Sequence, residues 1–211
     1  MYDRERLDLV EKLRKRGISD ENVLAAIAQV ERHLFVPDLL KNRAYEDVAL
    51  PIGFGQTISQ PYTVAFMTQA LKVKKGDKIL EIGTGSGYQA AILEKMGARV
   101  YSIERQIDLH LRAQKLFDQY NIRVATRLGD GTLGWFEFSP YDGIIVTAGS
   151  PTVPENLKKQ LKIGGRLVIP VGDKKSQSLY IIEKIAEDKF DIEEVRSFAF
   201  VPLIGKEGWQ N

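Results

Sequence analysis

Near the middle of the sequence lies Glu81-Ile82-Gly83-Thr84-Gly85-Ser86-Gly87-Tyr88, the stretch that indicates the fold. It continues an apolar segment, 78–82, that predicts a buried strand, and it precedes 90–96, which predicts a helix. Glycines between a strand and a helix allow a sharp turn and let a ligand approach bare backbone, while the first amides of the helix face that ligand. The stretch therefore predicts a ligand-binding turn in an α/β fold.

Strand-like and helix-like segments alternate after this turn. Further strands are predicted at 99–103, 124–128, 141–146 and 166–171, with helices at 109–120 and 154–161. Repeated βα units predict a parallel sheet with helices on both faces. Two last strands, at 178–185 and 193–201, are joined by a polar turn around Asp188 and predict an antiparallel pair. The predicted fold is a doubly wound, mostly parallel, seven-stranded α/β sheet with a C-terminal antiparallel pair.

The first part of the chain predicts helices followed by an irregular segment. Apolar residues one helical turn apart predict a helix before Gly17, and a second is expected at 23–30 with Ser19 as its N-cap. Glycine, proline and polar residues at 45–62 are typical of a loop, and a loop this long is usually functional.

The length of 211 residues predicts one domain, 1–211. Within it we expect N-terminal helices and the acceptor-site loop at 1–75, a βα core that binds the cofactor at 76–172, and the C-terminal strands at 173–211.

The composition excludes several classes of protein. Lys and Arg number 30 against 28 Asp and Glu, and no basic tract is present, so nucleic acid is not an expected partner. No apolar run approaches the ~20 residues of a membrane span. The absence of cysteine excludes disulfides, thiolate metal ligands and a cysteine nucleophile. We expect a cytoplasmic monomer with no metal, no nucleic-acid partner and no membrane association.

Acidic residues at two further strand ends extend the predicted ligand site. Glu104 follows the glycines by about 20 residues, where a carboxylate hydrogen-bonds ribose hydroxyls. Asp130 and Gly131 follow the next strand, where a carboxylate can accept from an adenine amino group. A dinucleotide turn, G-x-G-x-x-G, would need glycine where Tyr88 stands, which disfavours a pyrophosphate. A nucleoside without pyrophosphate is therefore the expected ligand.

These elements resemble the S-adenosylmethionine-binding elements of the Rossmann-like methyltransferases. The resemblance implies S-adenosyl-L-methionine as cofactor, S-adenosyl-L-homocysteine as product, and no metal. It assigns the methionine part to Gly83, Thr84 and Gly85, the ribose to Glu104 with Arg105 beside it, the adenine to Asp130 and Gly131, and the border of the sulfonium to Thr147.

Three segments outside the predicted sheet extend the resemblance. They read Glu31-Arg32-His33-Leu34-Phe35-Val36-Pro37, Gln56-Thr57-Ile58-Ser59-Gln60-Pro61 and Phe200-Val201-Pro202-Leu203-Ile204-Gly205-Lys206-Glu207-Gly208-Trp209. With the cofactor elements they are similar to the protein-L-isoaspartate O-methyltransferase family over nearly the whole chain. The family implies methylation of the α-carboxylate of L-isoaspartyl residues in damaged proteins and peptides, which starts repair through a succinimide. Whether D-aspartyl sites are also accepted is left open.

The same resemblance makes Ser59 the catalytic residue and implies substrate contacts by Thr57, Ile58 and Gln60. A carboxylate with a pKa near ~4 is already ionised at neutral pH, so the reaction needs alignment and exclusion of water and no general base. Val201 and Leu203 are predicted to pair with the substrate backbone as an added strand. From the pattern alone, a turn role for Ser59 and an ordinary terminal strand at 201–203 remain alternatives.

Other functions remain open at this level. One is methylation of a small molecule or RNA with the same cofactor. The missing cysteine disfavours cytosine-C5 chemistry, and Thr147-Ala148-Gly149-Ser150-Pro151 lacks the Asn/Asp-Pro-Pro pattern of amino-directed nucleic-acid enzymes. A second is NAD-dependent dehydrogenation, which the glycine spacing disfavours. A third is a protein-binding module without catalysis.

Overall fold

The computed structural model describes residues 2–210, with the backbone alone at 196 and 197. In chain order its elements are α1 (Asp3–Lys15), α2 (Glu21–Gln29), β1 (Leu50–Gly53), β2 (Gln56–Ile58), α3 (Pro61–Leu71), β3 (Lys78–Ile82), α4 (Tyr88–Lys95), β4 (Arg99–Glu104), α5 (Ile107–Tyr120), β5 (Val124–Leu128), β6 (Tyr141–Val146), α6 (Glu155–Lys159), β7 (Leu161–Gly172), β8 (Gln177–Ala186) and β9 (Lys189–Phe198). Short 3-10 turns lie between some of them, including one at Arg32–Phe35.

Seven strands form one sheet in the order β5-β4-β3-β6-β7-β8-β9. The strands β3 to β7 are parallel, whereas β8 runs antiparallel to both β7 and β9. The chain winds outward from β3 through β4 and β5, then continues on the other side of β3 through β6 and β7. The predicted doubly wound, mostly parallel sheet with its antiparallel end is confirmed, and the carboxyl ends of β3, β4 and β6 lie side by side.

Both faces of this sheet are buried. Successive residues of β3 show why: Ile79 packs with Leu93 and Phe117 of the helices on one face. Leu80 packs with Leu157 of α6 on the other face. A parallel sheet covered on both sides is expected to have such nearly continuous apolar strands.

A further layer lies outside α4. The helices α1 and α2 and the hairpin β1–β2 share one apolar cluster with the start of α4, which includes Leu13, Ile27, Ile52 and Tyr88. Because Ile52 and Tyr88 belong to the same cluster, the hairpin is held beside the glycine turn that precedes α4.

The segment predicted as a loop at 45–62 instead contains the β1–β2 hairpin. Leu50 pairs with Ile58, and both side chains are buried. The connection has positive φ at Gly53, Phe54 and Gly55, which accounts for its two glycines. Strands of four and three residues are too short to produce a periodic signal, so the loop prediction was wrong over this part.

Several boundaries also differ from the prediction, and the last strand, predicted at 193–201, spans Lys189–Phe198. The N-cap of α2 is Asp20 rather than Ser19, since the Asp20 carboxylate accepts hydrogen bonds from the amides of Asn22 at 2.9 Å and Val23 at 3.3 Å. The helix predicted at 154–161 ends at Lys159, and Leu161 already begins β7.

Candidate active site

A pocket opens at the carboxyl ends of the central strands. The predicted residues that line it are Gly83, Thr84, Gly85, Glu104, Arg105, Gly131 and Thr147 on the cofactor side, and Thr57, Ile58, Ser59, Val201 and Leu203 on the acceptor side. Two predicted site residues, Gln60 and Asp130, do not line it. Segments far apart in sequence thus meet in one crevice, where a doubly wound sheet binds ligands.

The first glycine of the turn is fixed by the end of β6. Gly83 has a φ of 96°, and a Cβ there would lie 2.5 Å from Oγ1 of Thr147. That hydroxyl oxygen is 2.7 Å from the Gly83 carbonyl oxygen, and the Thr147 amide donates to the Ile82 carbonyl at 3.0 Å. Position 83 therefore requires glycine, and Thr147 holds the turn at the floor of the pocket.

Glu104 carries the negative charge of the cofactor side and is 5% exposed. Its Oε2 accepts from the Gly85 amide at 2.8 Å, and its Oε1 accepts from the Gln106 amide at 2.9 Å. A carboxylate offers about four acceptor positions, so both oxygens can accept once more. This capacity fits the two hydroxyls of a ribose.

The loop after β5 contacts both the pocket and the C-terminal segment. Gly131 lines the pocket, and a Cβ there would lie 2.3 Å from Cγ2 of Ile82. The Asp130 carboxylate accepts from the amide of Thr132 at 2.9 Å and from the amide of Lys206 at 2.7 Å. Asp130 thus anchors the C-terminal segment, and its role toward adenine stays a prediction.

The acceptor segment presents a free hydroxyl. The side chain of Ser59 has no hydrogen-bond partner among the described residues, whereas its carbonyl accepts from Nη2 of Arg32 at 2.8 Å. The Gln60 side chain turns away and donates to the Asp47 carbonyl at 2.9 Å, and the Tyr62 amide donates to the Asp47 carboxylate at 2.8 Å. Arg32 and Asp47 therefore fix this segment without using the Ser59 hydroxyl.

The extended segment at 201–203 is paired along one edge. The Gly149 amide donates to the Val201 carbonyl at 2.7 Å, and the Leu203 amide donates to the Gly149 carbonyl at 2.8 Å. The indole of Trp209 donates to the same Gly149 carbonyl at 3.1 Å. A substrate strand could therefore join only along the opposite edge, which carries the carbonyl of Pro202.

A neutral carboxyl group lies behind the glycine turn. Glu81 is fully buried, and burial raises its pKa to about 8, so that it is protonated at neutral pH. The Ser102 hydroxyl donates to Glu81, and the Thr84 hydroxyl lies 2.6 Å from the Ser102 oxygen. This chain of hydrogen bonds connects the pocket wall, through Thr84, to the core of the sheet.

Sequence reasoning missed other residues that line the pocket, among them Gln56, Ser86, Tyr88, Gln89, Gln106 and Pro202. Most of them directly neighbour predicted residues, and this adjacency is the signal that could have found them. Among residues 2–210, no group of His, Cys, Asp and Glu could hold a metal ion. In the same range, no helix combines the length and the apolar character needed to cross a membrane.

The family model and the sequence relatives identify one family. A family model described as protein-L-isoaspartate(D-aspartate) O-methyltransferase matches residues 4–208. The protein-L-isoaspartate O-methyltransferase of Chlorobaculum tepidum is 54% identical over 208 residues, which cover 98% of this chain and 97% of that protein.

Solved structures agree with the sequence relatives. One protein-L-isoaspartate O-methyltransferase superimposes with a TM-score of 0.87 at 31% identity, over 96% of this chain and 67% of that one. A Plasmodium falciparum candidate for the same enzyme, solved with S-adenosyl-L-homocysteine, has a TM-score of 0.83 at 26% identity, over 94% and 98% of the two chains. The predicted resemblance is confirmed, and this chain belongs to the S-adenosylmethionine-dependent protein-L-isoaspartate O-methyltransferase family.

Proposed function

We propose that this protein methylates the α-carboxylate of L-isoaspartyl residues in damaged proteins and peptides and thereby initiates repair through a succinimide. Family membership supports this proposal over methylation of a small molecule or RNA. In the chain itself, one observation carries it: Ser59, whose hydroxyl has no hydrogen-bond partner among the described residues, lines the same pocket as Glu104 and the glycine turn. An acceptor and a nucleoside cofactor can therefore meet there.

The cofactor side has the groups that S-adenosylmethionine requires. When bound, S-adenosylmethionine would supply an electrophilic methyl group to a carboxylate oxygen, with S-adenosylhomocysteine as the leaving group. The spare acceptor positions of Glu104 suit the ribose hydroxyls, with Arg105 alongside. Gly83, Thr84 and Gly85 line the wall for the methionine part, with Thr147 at the floor. We assign adenine to the loop of Asp130 and Gly131.

The acceptor side has to align an anion. An ionised carboxylate needs no base, so the proposed task of Ser59 is to donate a hydrogen bond to one carboxylate oxygen and point the other toward the methyl group. Thr57 and the buried Ile58 line the adjacent wall, and a bound peptide that displaced water from this wall would strengthen the interactions of the anion.

Recognition of the peptide is proposed to use its backbone, because damaged sites occur in many different sequences. The free carbonyl of Pro202, between Val201 and Leu203, suits this purpose, since a main-chain hydrogen bond does not depend on side-chain identity. The cytoplasmic location, the monomeric state and the absence of nucleic-acid partners stay predictions.

Two peptides that differ only at one linkage test the proposal. We expect the purified protein to transfer radiolabelled methyl groups from S-adenosylmethionine to an isoaspartyl peptide, and to leave the normal aspartyl peptide unmodified. The label should be released as methanol in mild base, as expected of an ester that closes to a succinimide. Equal labelling of both peptides, or of neither, would contradict the proposed acceptor.

A further inference from the structure

Arg32 is a fully buried side chain that joins three distant segments at the acceptor end of the pocket. Its Nε donates to the Ala44 carbonyl and its Nη2 to the Ser59 carbonyl, both at 2.8 Å. Its guanidinium carbon lies 4.8 Å from the ring centre of Tyr88, which lines the pocket. The side chain thus connects the acceptor segment to the start of α4.

The positive charge of Arg32 has no ion-pair partner among the described residues. The carboxylate of Asp47 is occupied by Arg16 and by the amide of Tyr62. Nη1 of Arg32 is buried without a hydrogen-bond partner. Burial lowers the pKa of Arg32 to about 10, so the group is still charged at neutral pH. A buried cation without a counter-ion is unfavourable, and an anion bound at Ser59 would compensate it in part.

The positive charge of Arg32 also acts on the peptide bond between Ser59 and Gln60. This bond is trans, so the Ser59 carbonyl and the Gln60 amide point in opposite directions. Arg32 binds the carbonyl, while the amide has no acceptor among the described residues. A cation on the carbonyl polarises the peptide and makes its amide a stronger donor. Arg32 therefore fixes the backbone of Ser59, which lines the pocket, and leaves the Ser59 hydroxyl free.

We propose that Arg32 is a positioning residue that fixes Ser59 and makes the acceptor site prefer a carboxylate to a neutral amide. The inference rests on the proposed role of Ser59.

The test compares the binding of two peptides by calorimetry in the presence of S-adenosyl-L-homocysteine. One is the isoaspartyl peptide, and the other has its α-carboxylate converted to a carboxamide. In the wild-type protein we expect the carboxylate to bind about 10- to 100-fold more tightly, the effect of a charge-assisted hydrogen bond. In Arg32→Met this preference should fall below about threefold, with the Kd of S-adenosyl-L-homocysteine changed less than about threefold.

An arginine outside the site provides the matched control. Arg14 pairs with Glu21 on the surface, and Arg14→Met should keep the wild-type preference for the carboxylate. Melting temperatures of both variants separate a loss of folding from a loss of selectivity.

A second variant keeps the test decisive if Arg32→Met does not fold. A buried lysine has a lowered pKa, so the preference in Arg32→Lys should be present near pH 6 and decline toward pH 9, while the wild-type preference stays constant. The other groups that face position 32 are Asp47, Tyr45 and Tyr88. Burial raises the pKa of Tyr45 and raises that of Tyr88 to about 12, so neither tyrosine accounts for such a decline.

The outcomes distinguish a failure of the proposed role of Arg32 from a failure of the proposed acceptor site. An unchanged preference in Arg32→Met, or a preference independent of pH in Arg32→Lys, would show that Arg32 has a structural role alone. Equal binding of the two peptides by the wild-type protein would instead contradict the proposed acceptor site itself.

Discussion

The mutation Ser59→Ala removes only the hydroxyl of Ser59. If it orients the acceptor carboxylate, Ser59→Ala should lower kcat on an isoaspartyl peptide by about 10- to 100-fold, because a hydrogen bond to a charged group contributes roughly 1.5–3 kcal/mol. The Kd of S-adenosyl-L-homocysteine should change less than about twofold. Steady-state kinetics and calorimetry measure the two quantities. Ser176→Ala, at an exposed serine, is the control, and unchanged turnover in Ser59→Ala would remove Ser59 from the mechanism.

Individual residues were predictable where their position in the chain fixes their position in space. Glu104 ends β4 and Thr147 follows β6, so the topology alone brings both to the crevice. Arg32 could not be predicted in this way. Its role depends on burial among Ala44, Ser59 and Tyr88, and no local pattern distinguishes a buried arginine from the many that lie on surfaces.

At the scale of the elements, the observed start of α2 can be tested by mutation of its N-cap. Asp20 caps it, so Asp20→Ala should lower the free energy of unfolding by about 1 kcal/mol, measured by urea denaturation. Ser19→Ala is the matched control, because only the backbone amide of Ser19 makes a short hydrogen bond, at 2.8 Å to Gln69. A larger loss for Ser19→Ala than for Asp20→Ala would contradict the observed cap.

Apolar runs bounded by turn residues could be read from the sequence, whereas the hairpin β1–β2 and the 11-residue helix α3 were not predicted. The strands β3, β5 and β6 occur at the residues predicted for them, since apolar runs bounded by glycines and polar residues indicate them directly. The hairpin β1–β2 owes its form to burial of Leu50, Ile52 and Ile58 against distant helices. Tertiary packing of this kind leaves little trace in local composition.

For the molecule as a whole, the buried Glu81 predicts how stability depends on pH. Its pKa in the folded state is about 8 against an ordinary 4.5, so the folded state binds the proton more tightly. The contribution of Glu81 to the free energy of unfolding is fully present below pH 4.5 and is lost as the pH rises through about 8. The free energy of unfolding should therefore fall by about a few kcal/mol between these two pH values, as the linkage between proton binding and folding requires.

The variant Glu81→Gln checks this dependence, because its amide stays neutral at every pH. Urea denaturation at a series of pH values should give a much flatter profile for Glu81→Gln than for the wild-type protein. Glu193→Gln, at an exposed residue of β9, should keep the wild-type slope. Parallel profiles for wild type and Glu81→Gln would show that Glu81 does not titrate in this range.

The fold class of the whole molecule could be predicted from the sequence, but its detailed topology could be predicted only in part. Alternating strands and helices indicate a parallel, doubly wound sheet, and the two C-terminal strands, 178–185 and 193–201, indicate its antiparallel end. The order of the strands was not predicted, because sequence patterns specify which segments are strands and leave their neighbours open.

One contact connects the two ends of the crevice. Asp130, in the loop assigned to adenine, holds the amide of Lys206, and the same terminal segment contributes Val201 and Leu203 to the acceptor wall. A ligand in one half of the crevice that altered this hydrogen bond would also change the position of the other half. The two binding equilibria are then linked, and thermodynamic reciprocity requires each ligand to alter the affinity of the other by the same factor. From this contact we predict that the cofactor and the damaged peptide bind cooperatively.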